Sequence, residues 1–492
     1  MDKQIRRLGY ALVALFLLLF VQVNYLQVFA ADRIANNPAN TTRLLIQAAD
    51  IDRGNILARD GSTILAESVP TRGEFKYLRK YPEGPLYADV TGAYPLVGAP
   101  TNLEASYNDL LSGRATDLLP STLVDQILGR PRKGATVVTT IDPNLQQVAA
   151  QEIDKARFGG AVVAMDPSTG EILAMASNPT YDPNELASHD IKSATASYNR
   201  LTKDPKHPLL SNANDQLYPP GSTFKLVTAS AALEDGVDPN AAIWNNPGSS
   251  LPLPQTTHTL SNFGGEVCPG GSKVSLSDAL TYSCNTIFGE VGLQLGPNKL
   301  ADQAKAYGFD GHVPFNIGFS EGQFPDPGTL DPPQTAFSAI GQGSVLANPL
   351  QMALVGSAIA NGGVEMRPQL VSEVRDSRGT LVQSFHPEAY GKPISSQTAG
   401  ELTTMMESVV NHGTAQGLGI PGIQLAAKTG TAQHGTGGKP PHAWFVAFGP
   451  NPNPQIVVAV LVLDGGNLGS DATGAAVAGP VAQAVIEAAL HG

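Results

Sequence analysis

At 492 residues the chain is longer than one ordinary core supports, so two or more domains are expected. Apolar residues make up 42% and charged residues 15%, which is the composition of a folded rather than a disordered chain. The formal net charge of -12 excludes nucleic acid as a partner class, because phosphate binding needs a basic surface.

The chain opens with Lys3, Arg6 and Arg7, followed by an apolar stretch over residues 8–31. The stretch is purest over residues 10–21 and is interrupted by Gln22, Asn24 and Gln27. Two readings compete. A cleaved signal peptide would use Ala30-Ala31 as its small residues. An uncleaved anchor needs the amides to be tolerated near the outer interface. The basic cluster holds the N-terminus in the cytoplasm in either case, so the rest of the chain is expected outside it.

Residues 32–135 read as short strands and turns, with Arg53-Gly54-Asn55-Ile56 and Asp60-Gly61 as edge and turn signals. Residues 136–141 are a β-branched run. Asp142-Pro143 then opens a helix, with Asp as its cap and Pro at its first position. That helix is expected to stop at Gly159-Gly160. Two apolar strands, 161–165 and 171–176, flank a turn and predict a β-hairpin. A long, loop-rich middle follows, with helices over 224–233 and 397–410. Strands return over 425–433, 443–448 and 456–463, and a last helix covers 473–490. The expected fold is α+β: one antiparallel sheet covered by the first and last helices, with a helical lobe inserted and a cleft between them.

Cys268 and Cys284 are the only cysteines. They form no C-x-x-C pair and have no histidine cluster around them, so no zinc site and no other metal is expected. In an oxidising compartment a bridge between them is favoured over two separate buried thiols. The nine histidines show no ligand spacing and are given no role.

Three short motifs carry the chemistry. In Pro219-Pro220-Gly221-Ser222-Thr223-Phe224-Lys225 a forced turn places Ser222 at a helix start, beside backbone N–H groups and the positive dipole end. Lys225, three residues on, shares its face. A lysine activates a serine only if burial or another cation lowers its pKa. Taken alone, the pattern is equally a capped helix with a surface lysine. The second motif is Ser283-Cys284-Asn285, at an expected helix boundary. There a hydroxyl can relay a proton to a leaving amine, and an amide can hold the lysine and the substrate backbone. Ser106-Tyr107-Asn108 and Ser197-Tyr198-Asn199 share the pattern and read as loops.

The third motif is Lys428-Thr429-Gly430-Thr431, in a predicted strand whose interior Lys and Gly weaken it. Gly430 would let a ligand backbone approach. Lys428 would attract a substrate carboxylate and depress Lys225, and the hydroxyls of Thr429 and Thr431 would bind that carboxylate. The N–H groups of Ser222 and Thr431 would form an oxyanion hole. An edge strand with a solvated lysine is the plain alternative.

Ser-x-x-Lys, Ser-x-Asn and Lys-Thr-Gly in this order are the active-site set of serine β-lactamases and penicillin-binding proteins. On these motifs the sequence resembles the class B penicillin-binding proteins, in particular the short penicillin-binding protein A type. Arg53-Gly54-Asn55-Ile56 with Asp60-Gly61, the hairpin of Gly160-Ala161-Val162-Val163-Ala164-Met165-Asp166 followed by Gly170-Glu171-Ile172-Leu173-Ala174, Gly341-Gln342-Gly343 and Trp444-Phe445-Val446-Ala447-Phe448 are similar to family segments as well.

The resemblance implies a cytoplasmic tip and anchor (1–31), a non-catalytic, pedestal-like or dimerisation module (32–140) and a transpeptidase domain with a five-stranded antiparallel sheet (141–492). It implies a peptidoglycan D,D-transpeptidase that works through a Ser222 acyl-enzyme on stem peptides ending in D-Ala-D-Ala, and that β-lactams acylate. The implied site is Ser222, Lys225, Ser283, Asn285 and Lys428, with Thr429, Gly430 and Thr431 binding substrate, and no cofactor. By family alone, the partners would be division or elongation proteins and a glycosyltransferase, since the module leaves no room for a glycosyltransferase domain in this chain. Two other readings use the same motifs. One is a β-lactamase or D,D-carboxypeptidase with water as acceptor, against which the N-terminal module and tether argue. The other is a non-catalytic β-lactam sensor or scaffold.

Overall fold

A computed structural model describes residues 2–26, 50–73, 75–96, 98–118, 133–435 and 438–491. The apolar stretch beyond residue 26, the Ala30-Ala31 pair, and residues 32–49 and 119–132 of the expected module lie outside the described residues. Asp2–Asn24 is one helix, and within it Lys3–Asn24 is long and apolar enough to cross a membrane. Leu12, Phe16 and Leu19 on it are exposed. Asn24 satisfies its own amide by donating Nδ2 to the Phe20 carbonyl at 2.8 Å, so a polar residue fits an otherwise apolar helix.

The first sheet begins with β1 (Ile56–Leu57), β2 (Ile64–Pro70), β3 (Tyr77–Lys80) and β4 (Thr136–Thr139). Ser106-Tyr107-Asn108 lies not in a loop, as read from sequence, but across two short helices, Asn102–Ser106 and Asn108–Leu111. Ser197-Tyr198-Asn199 is likewise inside the helix Ile191–Lys203, which Asp190 caps by accepting from Lys192 N and Ser193 N. Asn108 Oδ1 accepts from Arg53 Nη1 at 2.8 Å, a packing role. Arg53 and Arg79 are buried on either side of Glu104, with Nε to carboxylate distances of 2.6 and 2.5 Å. Burial alone would raise the Glu104 pKa, but Arg79 and Arg53 hold it below the usual range.

Asp142 caps Pro143–Asp154 through Asn144 N and Leu145 N, as its Asp-Pro start predicts, and the helix ends a turn before Gly159. β5 (Gly160–Met165) and β6 (Ile172–Asn178) form the expected hairpin. The middle is mainly helical. It also carries two-stranded ribbons, β7 (Trp244–Asn245) with β10 (Lys273–Val274) and β8 (Ser250–Pro252) with β9 (Thr259–Ser261). Beyond them lie β11 (Glu365–Met366), β12 (Val371–Arg375), β13 (Leu381–Ser384) and β14 (Ala389–Gly391). β12 and β13 join the first sheet, whose order is β13-β12-β4-β1-β2-β3. One sheet therefore carries strands from both sides of residue 140.

The second sheet is antiparallel, in the order β15-β16-β17-β5-β6, with β15 (Ala426–Ala432), β16 (His442–Gly449) and β17 (Ile456–Val462). Every residue of β5, β16 and β17 is buried, because helices cover both faces. Val458 and Val460 pack on one side with Leu145, Ile153, Val485 and Ile486 of the first and last helices. Val457, Ala459 and Leu461 pack on the other with Met352 and Val355 of the helix Pro349–Ala360. Each fully buried Val or Leu contributes about 1.5–3 kcal/mol, so this double-sided core makes β15, at the sheet's edge, a firm wall for a cleft.

Candidate active site

Pro219 and Pro220 cannot continue a helix inward, and Gly221 (φ 52°) turns the chain into a 3-10 turn, Gly221–Phe224. The α-helix proper is Lys225–Glu234. The turn is held from two sides. Gly221 N donates to the Gly341 carbonyl at 2.9 Å, and Trp444 Nε1 donates to the Pro219 carbonyl at 2.8 Å. A Cβ on Gly341 (φ 71°) would lie 2.2 Å from the Gly221 oxygen, so only glycine fits there. Ser222 sits half-buried on this fixed turn.

Lys225, one turn on, is fully buried. Its Nζ donates to the Ser283 carbonyl at 2.7 Å and to Asn285 Oδ1 at 2.7 Å, and it lies 3.3 Å from Ser283 Oγ. It also lies 5.3 Å from the centre of the Phe288 ring. Burial first, and then the neighbouring Lys428, hold Lys225 well below the ordinary lysine range. A neutral amine has two hydrogens and one lone pair. The two 2.7 Å contacts use the hydrogens, so the lone pair remains to accept a proton. Ser222 Oγ is not among the hydrogen-bond partners of Lys225, so the nucleophile is left for a substrate to meet.

Ser283 lies between the helices Leu276–Thr281 and Asn285–Ala306, at φ 57°. The tight link aims both its carbonyl and its hydroxyl at the lysines. Cys284 caps the second helix and is bonded to Cys268, with a Cα–Cα separation of 5.6 Å. The bridge joins the motif to the loop after β9. Asn285 Nδ2 donates to the Ser261 carbonyl of β9 at 2.9 Å, so one amide hydrogen is spent on the protein and one is left for a ligand.

Lys428 is also fully buried, not solvated as an edge lysine would be. Its Nζ donates to Ser283 Oγ and to the Thr429 carbonyl, each at 2.9 Å. Burial brings its pKa down to about 7. Ser283 Oγ thus stands between two lysine nitrogens, a short path for a proton. Gly430 has a tighter reason to be glycine than ligand approach: a Cβ there would meet Trp444 Cβ at 2.9 Å and the Pro220 oxygen and Thr223 Cγ2 at 3.0 Å. The strand has to touch the serine turn. Thr429 is buried and its hydroxyl pairs with Thr414 Oγ1 at 2.7 Å, whereas Thr431 is half-buried and its carbonyl oxygen lies against Gly221. Thr414, Phe288 and Ser261 were missed in the sequence because nothing in their local strings marks them.

The chain matches the penicillin binding protein transpeptidase domain over residues 160–487 and the penicillin binding protein A dimerisation domain over residues 53–137. It belongs to the penicillin-binding protein transpeptidase family. Within that family it is 42% identical to the peptidoglycan D,D-transpeptidase PbpA of Mycolicibacterium smegmatis, across 100% of this chain and 99% of the relative. It is 40% identical to the protein of the same name from Mycobacterium tuberculosis, across the whole of both chains. Among solved structures it resembles penicillin-binding protein A from M. tuberculosis as a ceftriaxone acyl-enzyme complex, with a TM-score of 0.85 and 39% identity over 90% of this chain and 100% of that one. The penicillin G acyl-enzyme complex of that protein matches with a TM-score of 0.83.

Proposed function

We propose that this chain is a peptidoglycan D,D-transpeptidase, acylated at Ser222 by stem peptides ending in D-Ala-D-Ala and by β-lactams. On this reading residues 1–31 anchor it in the cell membrane, 32–140 form a non-catalytic module, and 141–492 work on the extracytoplasmic side. The observation that carries the reading is the convergence on Ser283 of two buried lysines, Lys225 and Lys428, with no carboxylate among their hydrogen-bond partners in the described residues.

Lys225 accepts the Ser222 proton as Oγ attacks the carbonyl carbon of the penultimate D-alanine. The N–H groups of Ser222 and Thr431 hold the resulting oxyanion. As the C–N bond breaks, Ser283 gives its proton to the departing amine and regains one from the lysine pair. Asn285 holds Lys225 and directs its remaining amide hydrogen to the substrate backbone. Thr429 and Gly430 line the strand on which the peptide lies. The amine of a neighbouring stem peptide then attacks the ester carbonyl, forms the cross-link and returns the proton to Ser222. A β-lactam acylates Ser222 in the same way, but its amine stays tethered after the ring opens and blocks the acceptor. Division or elongation proteins and a glycosyltransferase supplying glycan strands are the partners this role calls for.

The test is fluorescent penicillin labelling of the purified full chain, followed by cross-linking in a mixture with a glycosyltransferase and lipid-linked precursor. A stable adduct, lost in Ser222→Ala, together with D-Ala-dependent cross-links, is expected. An adduct without cross-links would leave a sensor; rapid release with hydrolysis of the drug would make it a β-lactamase.

A further inference from the structure

His434, His442 and Asp464 come from three separate segments: the loop after β15, the first residue of β16 and the turn after β17. The antiparallel order β15-β16-β17 brings these ends together. One ligand atom from each lies within 4.8 Å of the others. His434 Nε2 is 2.9 Å from Asp464 Oδ1, and His442 Nδ1 is 3.7 Å from it. The two imidazoles are stacked, with centroids 3.7 Å apart and planes 6° apart.

One acceptor of this cluster is left without an aligned donor. His434 Nε2 faces the Pro440 carbonyl at 2.9 Å. His442 Nδ1 spends its one lone pair accepting the Asp464 backbone N–H at 3.2 Å, a long contact that a cation would displace. Asp464 Oδ1, although the side chain is partly exposed, is itself buried; His434 Nε2 lies 2.9 Å from it, but among the described residues no group is aligned to donate a hydrogen bond to it. Two imidazole nitrogens, a carbonyl oxygen and a carboxylate oxygen without an aligned donor therefore converge, a donor set that suits a cation. A buried carboxylate oxygen without an aligned donor is costly, and a bound divalent ion would satisfy it.

We propose that His434, His442 and Asp464 form a binding site for one divalent cation of the zinc class at the end of the hairpin that carries Lys428-Thr429-Gly430-Thr431. Two imidazoles and one carboxylate are a zinc-type donor set, and the Pro440 carbonyl or a water completes four-coordination. The rings are now parallel, so a shared ion requires one of them to turn. His434, in the loop and the more exposed at 17% against 7%, is the ring that turns. Its Nε2 hydrogen then moves to Nδ1, leaving Nε2 to ligate.

The site's effect follows from its neighbours. The Tyr218 ring packs edge-on to His442, with centroids 5.3 Å apart, and Pro219, next in the chain, is held by Trp444. An ion here ties the β15–β16 hairpin to the end of β17 and braces Tyr218, which leads into the Ser222 turn. Its role is structural support of the cleft wall, not chemistry on the substrate.

The full chain, purified in detergent on a tag without histidine and stripped with EDTA, is titrated with ZnCl2 by calorimetry. Metal is then counted by mass spectrometry after desalting. One equivalent of zinc is expected, with protection from hydrogen exchange over residues 433–441 and 463–466. His434→Ala and Asp464→Asn are expected to bind on the order of 100-fold more weakly while keeping the wild-type melting transition in EDTA. Failure of the wild-type chain to retain zinc overturns the proposal. So does binding that is unchanged in both of these variants, because the ion would then lie elsewhere.

Discussion

In the N-terminal module Arg53 and Arg79 are buried around Glu104, whose two carboxylate oxygens receive both guanidinium groups. In the cleft Lys225 and Lys428 are buried around Ser283, where only hydroxyl, carbonyl and amide oxygens receive them. Both clusters are cationic and dry, but in the first the charges stay and in the second they are pushed off. A guanidinium stays charged at any working pH and takes the carboxylate as its counter-ion, whereas a buried lysine without one can lose its proton. Paired burial gives the module a fixed joint. Unpaired burial gives the cleft amines held well below the ordinary lysine range.

Lys225→Met tests that contrast most strongly. The chain should lose on the order of 1000-fold in its rate of acylation by benzylpenicillin, with stability changed by no more than about 2 kcal/mol. A variant that keeps its acylation rate would remove Lys225 from the base role. Glu104→Gln should do the reverse. It strands two buried guanidinium groups and should cost about 3–5 kcal/mol in denaturant unfolding, while acylation per folded molecule stays at the wild-type rate.

Glu365 is the mirror of the lysines, a carboxylate buried with neither oxygen bonded, and burial raises its pKa to about 8. The folded chain therefore keeps a proton that the unfolded chain releases between about pH 4.5 and pH 8. Stability from this group falls as pH rises through that window and is flat above it. Glu365→Gln should remove the slope and gain on the order of 3 kcal/mol over wild type between about pH 5 and pH 9, read as melting curves across pH. Parallel curves for the two chains would mean that Glu365 has a partner in solution.

Several parts of this architecture could be read from local residues. Asp142-Pro143 caps the helix it was expected to cap, and the apolar runs over 161–165, 443–448 and 456–463 are strands because their residues fit only a sheet covered on both faces. The short helices at Asn102–Ser106 and Asn108–Leu111 were not legible, since one turn of helix leaves no periodic pattern. The pairing of β4 with β12 was hidden as well. Alternating apolar residues suit many partners, and Val371–Arg375 lies far along the chain from Thr136–Thr139. Of the candidate residues, Ser222, Lys225, Ser283, Asn285 and Lys428 stood out by their motifs. Thr414 and the cluster of His434, His442 and Asp464 did not, because no spacing within one segment links them.

The sequence by itself determined where the chain must turn, which runs must be covered, and which side chains have chemistry to offer, because these follow from residue type and near-neighbour sterics. Only the tertiary structure decided what those side chains are. Lys225 and Lys428 are ordinary ammonium groups until packing removes water from them and sets them on either side of one hydroxyl. Desolvation and long-range approach belong to the folded assembly, not to any short string of residues.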